Sequence, residues 1–385
     1  MRVLVIAPMP SNDTVAPPSG VAHYVDQMLG APVEDVVFHV LAQDDAFEYS
    51  DSTVEVRAVW RPGRHAPFDI GRSLLSGDYN VVHFHHEFRI LGGIISTLML
   101  MPILLAARVS GRRVIVTVHG VVPKSDLRIM APSRLFRVMH GLWRQLLSVN
   151  YKGFASACDQ LVVHHEYFRE RLLDDWGLSA KKVVVVPFGY EPRIESINAN
   201  CEESALSTPA RAINVLVFGF LTSYKRPEVL MDLAEVDITG QMRYHFCISR
   251  NPRTRNATYG ERLFRLQQRA ESIQDRVCWY NYLPDEELRR LISRADVIVL
   301  PYVSCLAASG VASWAIEFEK PFCYSDALVP VFGTGPMAFS DEPVDLRRAI
   351  IEAHNSGNLR SGELFEPWEI VRKQLRDMWL RGRLS

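Results

Sequence analysis

The feature that most constrains this chain is an alternation that runs through it twice. Short runs of almost unbroken apolar residues alternate with longer stretches of helical period. In the first half the runs are Arg2–Ala7, His39–Ala42, Val54–Val59, Val81–His85, Val114–Val118, Gln160–Val163 and Val183–Val186. Helical patterns such as Val21–Leu29 and Leu135–Leu147 lie between them. Strands this apolar are buried on both faces, and alternation with helices places them in a parallel sheet covered on both sides. A polar stretch without periodicity, Ile197 to Arg211, then interrupts the pattern. It restarts at Asn214–Gly219 and continues through Tyr244–Ile248, Val277–Trp279 and Val297–Leu300. The chain has 385 residues, too many for one ordinary core. Two α/β domains are therefore expected, residues 1–196 and 212–364.

Composition narrows the class. Net charge is −1, so no global field points to nucleic acid. The six cysteines are scattered without a CxxC pair and read as reduced thiols of a cytoplasmic protein. MRVLVIAP lacks a small-residue cleavage site and reads as a first buried strand. Ile90 to Val109 is nearly all apolar and close to membrane-spanning length. Pro102 inside it, and the strand that follows at once, make it a crossover helix of a βαβ unit. A membrane-facing surface is the alternative.

In sheets of this kind ligands sit beyond the carboxyl ends of the strands. After the first strand a loop, Met9 to Pro18, closes with Ser19-Gly20 at a helix start, and His23 lies one turn in. After Val81-Val82 comes HFHHEF. His83 and His85 share one face of that strand, Phe84 and His86 the other, and Glu87 ends it. A His/His/Glu group can bind metal, but a continuous strand-to-loop run is poor geometry for a closed site. Polar lining of a crevice is the better reading, with Glu87 its best functional candidate. His119-Gly120 follows a third strand end, the place that makes His119 a site candidate.

The second half repeats this logic with a cation. Phe218 to Pro227 reads as strand, loop and helix start, and Lys225 at the strand end suits a diphosphate. The bland alternative is a surface lysine. Leu283 to Leu288 reads as a capped helix start. Val299 to Cys323 runs from a buried strand through a small-residue loop to a helix opening at Ser309-Gly310. Such a helix start presents free backbone N–H groups and a positive dipole end, which together hold anions. The alternative is that Ser309 is only an N-cap. Two such halves with a crevice between them suit an activated, phosphate-linked substrate. A basic stretch, residues 128–152, carries Arg128, Arg134, Arg137, His140, Arg144 and Lys152. Its stripe of Arg137, His140 and Arg144 is either a solvated face or a surface for peripheral contact with anionic lipid or a lipid-linked substrate.

These motifs resemble the GT-B glycosyltransferases, and most closely the family-four retaining glycosyltransferases, over nearly the whole length. The resemblance rests on RVLVIAP with SGVAHYV, HHEFRILGG and TVHG in the first half. VPFGY, FGFLTSYKRPEVL, WYNYLPDEELRRLISRADVIVLPY and SGVASWAIEFEKP carry it onward. It implies two Rossmann-like domains facing across a crevice, the first for the acceptor and the second for the nucleotide sugar. It also implies a final helix within 365–385 that packs back on the first domain. The implied activity is transfer of a sugar from a nucleotide diphosphate sugar to an unknown acceptor, with retained configuration and no required metal or other cofactor.

By this resemblance His119, Lys225 and Glu87 would be catalytic. Gly20, Lys225, Ser309, Gly310, Val311, Tyr282 and Leu283 would hold the donor, and His23, His86 and Glu87 the acceptor. The chain matches the Ser-Gly-Val version of the phosphate turn. Where the family usually has an Arg five residues before the Lys, this chain has Phe220, and Leu306 and Trp314 occupy the positions of two usual Glu residues. Glu317 and Glu319 do not replace them cleanly. The alternative function is therefore a GT-B homologue without catalysis that acts as a binding or regulatory partner.

Overall fold

The structure, a computed structural model, describes residues 1–11, 19–88, 90–130, 139–192, 212–250, 257–357 and 364–381. The polar stretch Ile197 to Arg211, most of the loop before Ser19, and Arg134 to Arg137 in the basic stretch lie outside the described residues. The chain divides into two packed units, Met1–Gly189 with Leu306–Ala308 and Glu363–Ser385, and Tyr190–Cys305 with Ser309–Gly362.

The first unit is built on β1 (Arg2–Ile6), β2 (Val37–Gln43), β3 (Tyr49–Ser50), β4 (Val54–Trp60), β5 (Val81–His86), β6 (Arg113–Val118), β7 (Gln160–Val163) and β8 (Val183–Val185). Their order is β3-β4-β2-β1-β5-β6-β7-β8. Every pair is parallel except β3 with β4. The central strand β1 is fully buried from Val3 to Ile6, which is why it reads as an unbroken apolar run. Each such side chain removed from water contributes about 1.5–3 kcal/mol. Strand order reverses direction at β1, between β2 and β5, so the topological switch point lies at its carboxyl end. Register pairs His86 with Val118, so Glu87 and His119 leave the sheet side by side.

The helix Gly20–Leu29 starts at Ser19, whose side chain accepts from the Ala22 N–H at 3.1 Å. It buries Val21, Tyr24, Val25, Met28 and Leu29, a stripe at helical spacing. The last helix, Trp368–Leu380, lies against it. Trp368 Nε1 donates to Gln27 Oε1 at 3.2 Å, and Arg372 donates to the Gln27 carbonyl at 2.7 Å. Gly189 permits this docking, because a Cβ there would fall 2.3 Å from the Trp368 indole.

A short strand, β9 (Phe188–Tyr190), ends the first unit's run, and the second unit is built on β10 (Ile213–Phe220), β11 (Met242–Ser249), β12 (Val277–Tyr280), β13 (Val297–Leu300), β14 (Phe322–Ser325) and β15 (Ala338–Phe339). β9 itself pairs with β16 (Phe365–Pro367). The six-stranded sheet has the order β12-β11-β10-β13-β14-β15, all parallel. Its switch point lies between β10 and β13. The expected capped start near Leu283 is a helix, Asp285–Arg294, but its N-cap is Pro284 and no side chain caps it. Asp285, Glu286 and Glu287 in its first turn stabilise the dipole instead.

Candidate functional site

At the second unit's switch point two loops are stitched together. Lys225, after β10, forms a short antiparallel bridge with Tyr302, after β13. The Val303 N–H donates to the Tyr224 carbonyl at 2.8 Å and the Arg226 N–H to the Pro301 carbonyl at 2.6 Å. The Lys225 ammonium therefore lies 5.4 Å from the centre of the Tyr302 ring. The Tyr302 hydroxyl is 2.9 Å from Ser309 Oγ, so cation, ring and helix start form one continuous patch.

Lys225 is half-buried, forms no ion pair among the described residues, and loses hydration. That desolvation lowers its pKa to about 8. Beside it is a cavity of about 10 Å³, room for about one water. Its walls include Phe218, Phe220, Leu221, Ile248, Tyr302 and Val311. An ammonium against apolar walls, without a carboxylate, is poised to take an anion. Gly219 makes room for it: its φ is +110°, and a Cβ there would stand 2.9 Å from Lys225 Nζ.

Ser309 takes the capping role. Its side chain is the N-cap of Gly310–Glu317, accepting from the Ala312 N–H at 3.2 Å. Gly310 is exposed, and a Cβ on it would meet nothing within 4 Å, so the space above this helix end is open. Val311 is buried in the cavity wall. Tyr282 and Leu283 follow β12 at the same sheet edge and are half-buried. Phe220 puts a ring in the cavity wall where the resemblance implies a guanidinium. Trp314 and Glu317 are both engaged by Arg289. Its guanidinium lies 4.9 Å over the indole, and its Nη1 donates to Glu317 Oε1 at 2.7 Å.

One residue of this half was not foreseen. Arg262, on the helix Ala257–Glu271, donates to the carbonyls of Thr222 (2.9 Å) and Lys225 (2.7 Å) and pairs with Glu228. It fixes the loop that presents Lys225. Nothing in the spacing of an amphipathic surface helix marks such a role.

In the first unit the histidines of β5 are not crevice lining as expected. His83, His85 and His86 are fully buried, because β5 is a central strand between β1 and β6. His86, expected to meet acceptor, is packed among Phe84, Phe88 and Phe154. His85 instead joins His119 and His164 in an ordered chain whose tautomers follow from its end at Val186. His164 Nδ1 is 3.0 Å from the Val186 carbonyl, so it must donate there. Its Nε2 then accepts from His119 Nδ1 (3.2 Å), and His119 Nε2 accepts from His85 Nδ1 (3.0 Å). At a neighbouring position Trp379 Nε1 donates to His83 Nδ1 at 3.3 Å, and His83 Nε2 therefore donates to Thr117 Oγ1 at 2.8 Å. Tyr24 packs edge-on against His119, 4.8 Å between ring centres.

Burial keeps these rings neutral: His83 and His86 are pushed down to about 3, His164 to about 4, and His85 and His119 well below the ordinary value. His119, 8% exposed, has both ring nitrogens engaged. Glu87 is exposed at the strand end, and desolvation on the side facing the protein raises its pKa. Gly20 is exposed and a Cβ there would meet nothing within 4 Å, while His23 is half-buried one turn along the same helix. Among the described residues no group of three or more His, Cys, Asp or Glu side chains is arranged to hold a metal ion. None of the described helices is long and apolar enough to cross a membrane.

Comparison with known proteins agrees with this architecture. Residues 18–193 match the family described as Glycosyltransferase Family 4. No curated protein matches the sequence. Among solved structures, sucrose-phosphate synthase from Thermosynechococcus elongatus superposes with a TM-score of 0.68 at 16% identity, over 99% of this chain and 98% of that one. The catalytic domain of starch synthase IV from Arabidopsis thaliana, bound to ADP and acarbose, gives 0.64 at 13% identity over 99% of each chain. HepE from Anabaena in complex with UDP gives 0.62 at 12% identity, over 98% of this chain and 99% of that one. At such identities the likeness is one of fold, GT-B.

Proposed function

We propose that this protein, a GT-B glycosyltransferase whose residues 18–193 match glycosyltransferase family four, transfers a sugar from a nucleoside diphosphate sugar to an acceptor hydroxyl with retention of configuration. One observation carries the donor assignment: a partly desolvated Lys225, with no ion pair among the described residues, lies beside the open N-terminus of Gly310–Glu317 at a topological switch point. In transfer the anomeric C–O bond to the diphosphate breaks and negative charge grows on the leaving phosphate. The Lys225 ammonium and the first N–H groups of the helix stabilise that charge without reorganising. The acceptor hydroxyl bonds to the anomeric carbon on the face the leaving group vacates, and its proton goes to the departing phosphate oxygen. Because the ammonium supplies the positive charge, transfer is expected to proceed in the presence of a chelator. UDP and ADP occupy two of the similar structures, which makes their sugars the first donors to try.

Thermal stabilisation by a panel of nucleoside diphosphates tests the donor half, since a ligand that binds only the folded state raises the midpoint. A shift with one base, followed by chelator-resistant release of that diphosphate from its sugar, is the expected result. A second reading rests on Phe220, Leu306 and Trp314, apolar where the family-four resemblance implies charge, and on Glu317 being held by Arg289. In that reading the protein binds without transferring. Cooperative melting with no shift for any diphosphate would favour it.

A further inference from the structure

We propose that the outward face of three adjacent helices, Ala66–Ser76, Ile94–Val109 and His140–Ala157, docks the protein on an anionic lipid bilayer. The middle helix packs between the other two. Gly71 meets Ile103, where an added Cβ would fall at 3.0 Å, and Gly153 meets Met101. Its inward side is buried through Leu100, Met101, Leu104 and Ala107. A helix covering a sheet ordinarily carries charge on the opposite side. Here that side is Ile95, Pro102, Leu105, Ala106 and Val109, all exposed, Val109 by 81%. The helix's single charge, Arg108, is already paired with Asp159 at 2.8 Å. The apolar surface continues on both neighbours, with Phe68 and Leu75 on one and Leu142 and Val149 on the other, all exposed. Large apolar side chains spread over three touching helices are an interaction surface rather than scattered exceptions.

Charge selects the occupant. The three helices carry Arg72, Arg108, Arg144 and Lys152 against a single acid, Asp69, in a chain whose net charge is −1. Arg72, Arg144 and Lys152 are exposed and form no ion pair among the described residues. Apolar side chains with basic neighbours partition into the boundary of an anionic bilayer, the apolar groups reaching the acyl region and the cations meeting headgroups. A second copy of this chain fits less well, because a two-fold contact would press the basic residues against themselves. This surface differs from the basic stripe read from the sequence: its centre is the apolar crossover helix, with the bases at its sides. It stands independently of the transfer reaction.

The test is co-sedimentation of the full-length protein with vesicles of phosphatidylcholine alone, or with about a third phosphatidylglycerol. Anionic vesicles are expected to bind it, and neutral ones several-fold less. Arg72→Gln and Arg144→Gln should each weaken binding by roughly fivefold, and Leu105→Glu with Val109→Glu should abolish it. Thermal melts establish that the variants are folded, and Val149→Glu replaces the double variant should that one melt early. Absence of binding to anionic vesicles at low salt would overturn the proposal, as would binding unchanged in every variant. A dimer in solution that Leu105→Glu dissociates would also overturn it, assigning the face to a second copy.

Discussion

Nε2 of His164 stands 3.2 Å from Nδ1 of His119 and accepts the proton that Nδ1 carries. The order is imposed from outside the pair, by the Val186 carbonyl that can only accept from His164 Nδ1. His119 is thus held as the neutral tautomer whose Nε2 is an acceptor, already used by His85. Replacing His164 with Phe keeps a planar ring but leaves the His119 Nδ1–H buried without an acceptor. A stability loss of about 1–3 kcal/mol is expected in urea unfolding. His164→Gln, whose amide oxygen can accept, should recover part of it. Imidazole nitrogen resonances report the tautomer directly: His119 should change state in the Phe variant and keep it in the Gln variant. An unchanged His119 signature in both would show that His164 does not set it.

The buried histidines together predict how stability responds to acid. His83, His85, His86, His119 and His164 all titrate below their unfolded value near 6.5. A depressed histidine pKa means the unfolded chain takes up protons that the native state refuses. Stability is therefore full above pH 6.5 and falls as pH drops through the range down to the folded values, about 4 for His164 and about 3 for His83 and His86. Each ring contributes a slope of up to about 1.4 kcal/mol per pH unit there. Unfolding free energies from urea titrations at pH 7.5 and 5.5 should differ by several kcal/mol in all. Equal stabilities at the two values would mean the rings are solvated or protonated in the native state.

How much of this was legible depended on whether backbone or side chain carried the information. The strands of both sheets could be read because double-sided burial leaves an unbroken apolar signature, as in Val297–Leu300. Ser309 and Gly310 were legible because helix starts demand particular residues. The histidines of β5 misled, since polarity at a strand end reads as exposure. Only the fold supplies the partners of His83 and His85, which are Thr117 in β6, His119 just after it and Trp379 in the last helix. Arg262 was invisible for the same reason: its role is set by two carbonyls some 40 residues away in sequence.

That clamp gives a prediction of its own. Arg262→Met keeps much of the side-chain stem and removes the bonds to the Thr222 and Lys225 carbonyls and to Glu228. The loop then loses its fixed shape while Lys225 itself is intact. Diphosphate affinity should fall by roughly tenfold, the equivalent of one charge-assisted hydrogen bond of about 1.5 kcal/mol. Calorimetric titration of parent and variant decides it, and equal affinities would show that the loop holds its shape without the clamp.

Gly219→Ala strains the same loop from the other side. The residue sits at φ +110°, which side chains rarely adopt, and its new methyl would stand 2.9 Å from Lys225 Nζ. A loss of more than about 1 kcal/mol is expected from the backbone alone. Moving the ammonium should also weaken diphosphate binding. A variant as stable as the parent and binding as tightly would show that the loop relaxes freely.

Lys225 makes donor binding depend on pH in a way that identifies it. Without ligand, desolvation sets its pKa at about 8. A bound diphosphate stabilises the ammonium and raises that value, so binding takes up a proton whenever pH exceeds 8. Affinity should be flat just below pH 8 and fall up to about tenfold per pH unit above it, each tenfold being about 1.4 kcal/mol. Lys225→Arg keeps the charge and cannot lose its proton in this range, so its affinity should not fall with pH. Lys225→Met should bind weakly at every pH. If parent and Arg variant show the same profile from pH 7 to 9.5, the titrating group is another one, and the diphosphate does not sit on Lys225.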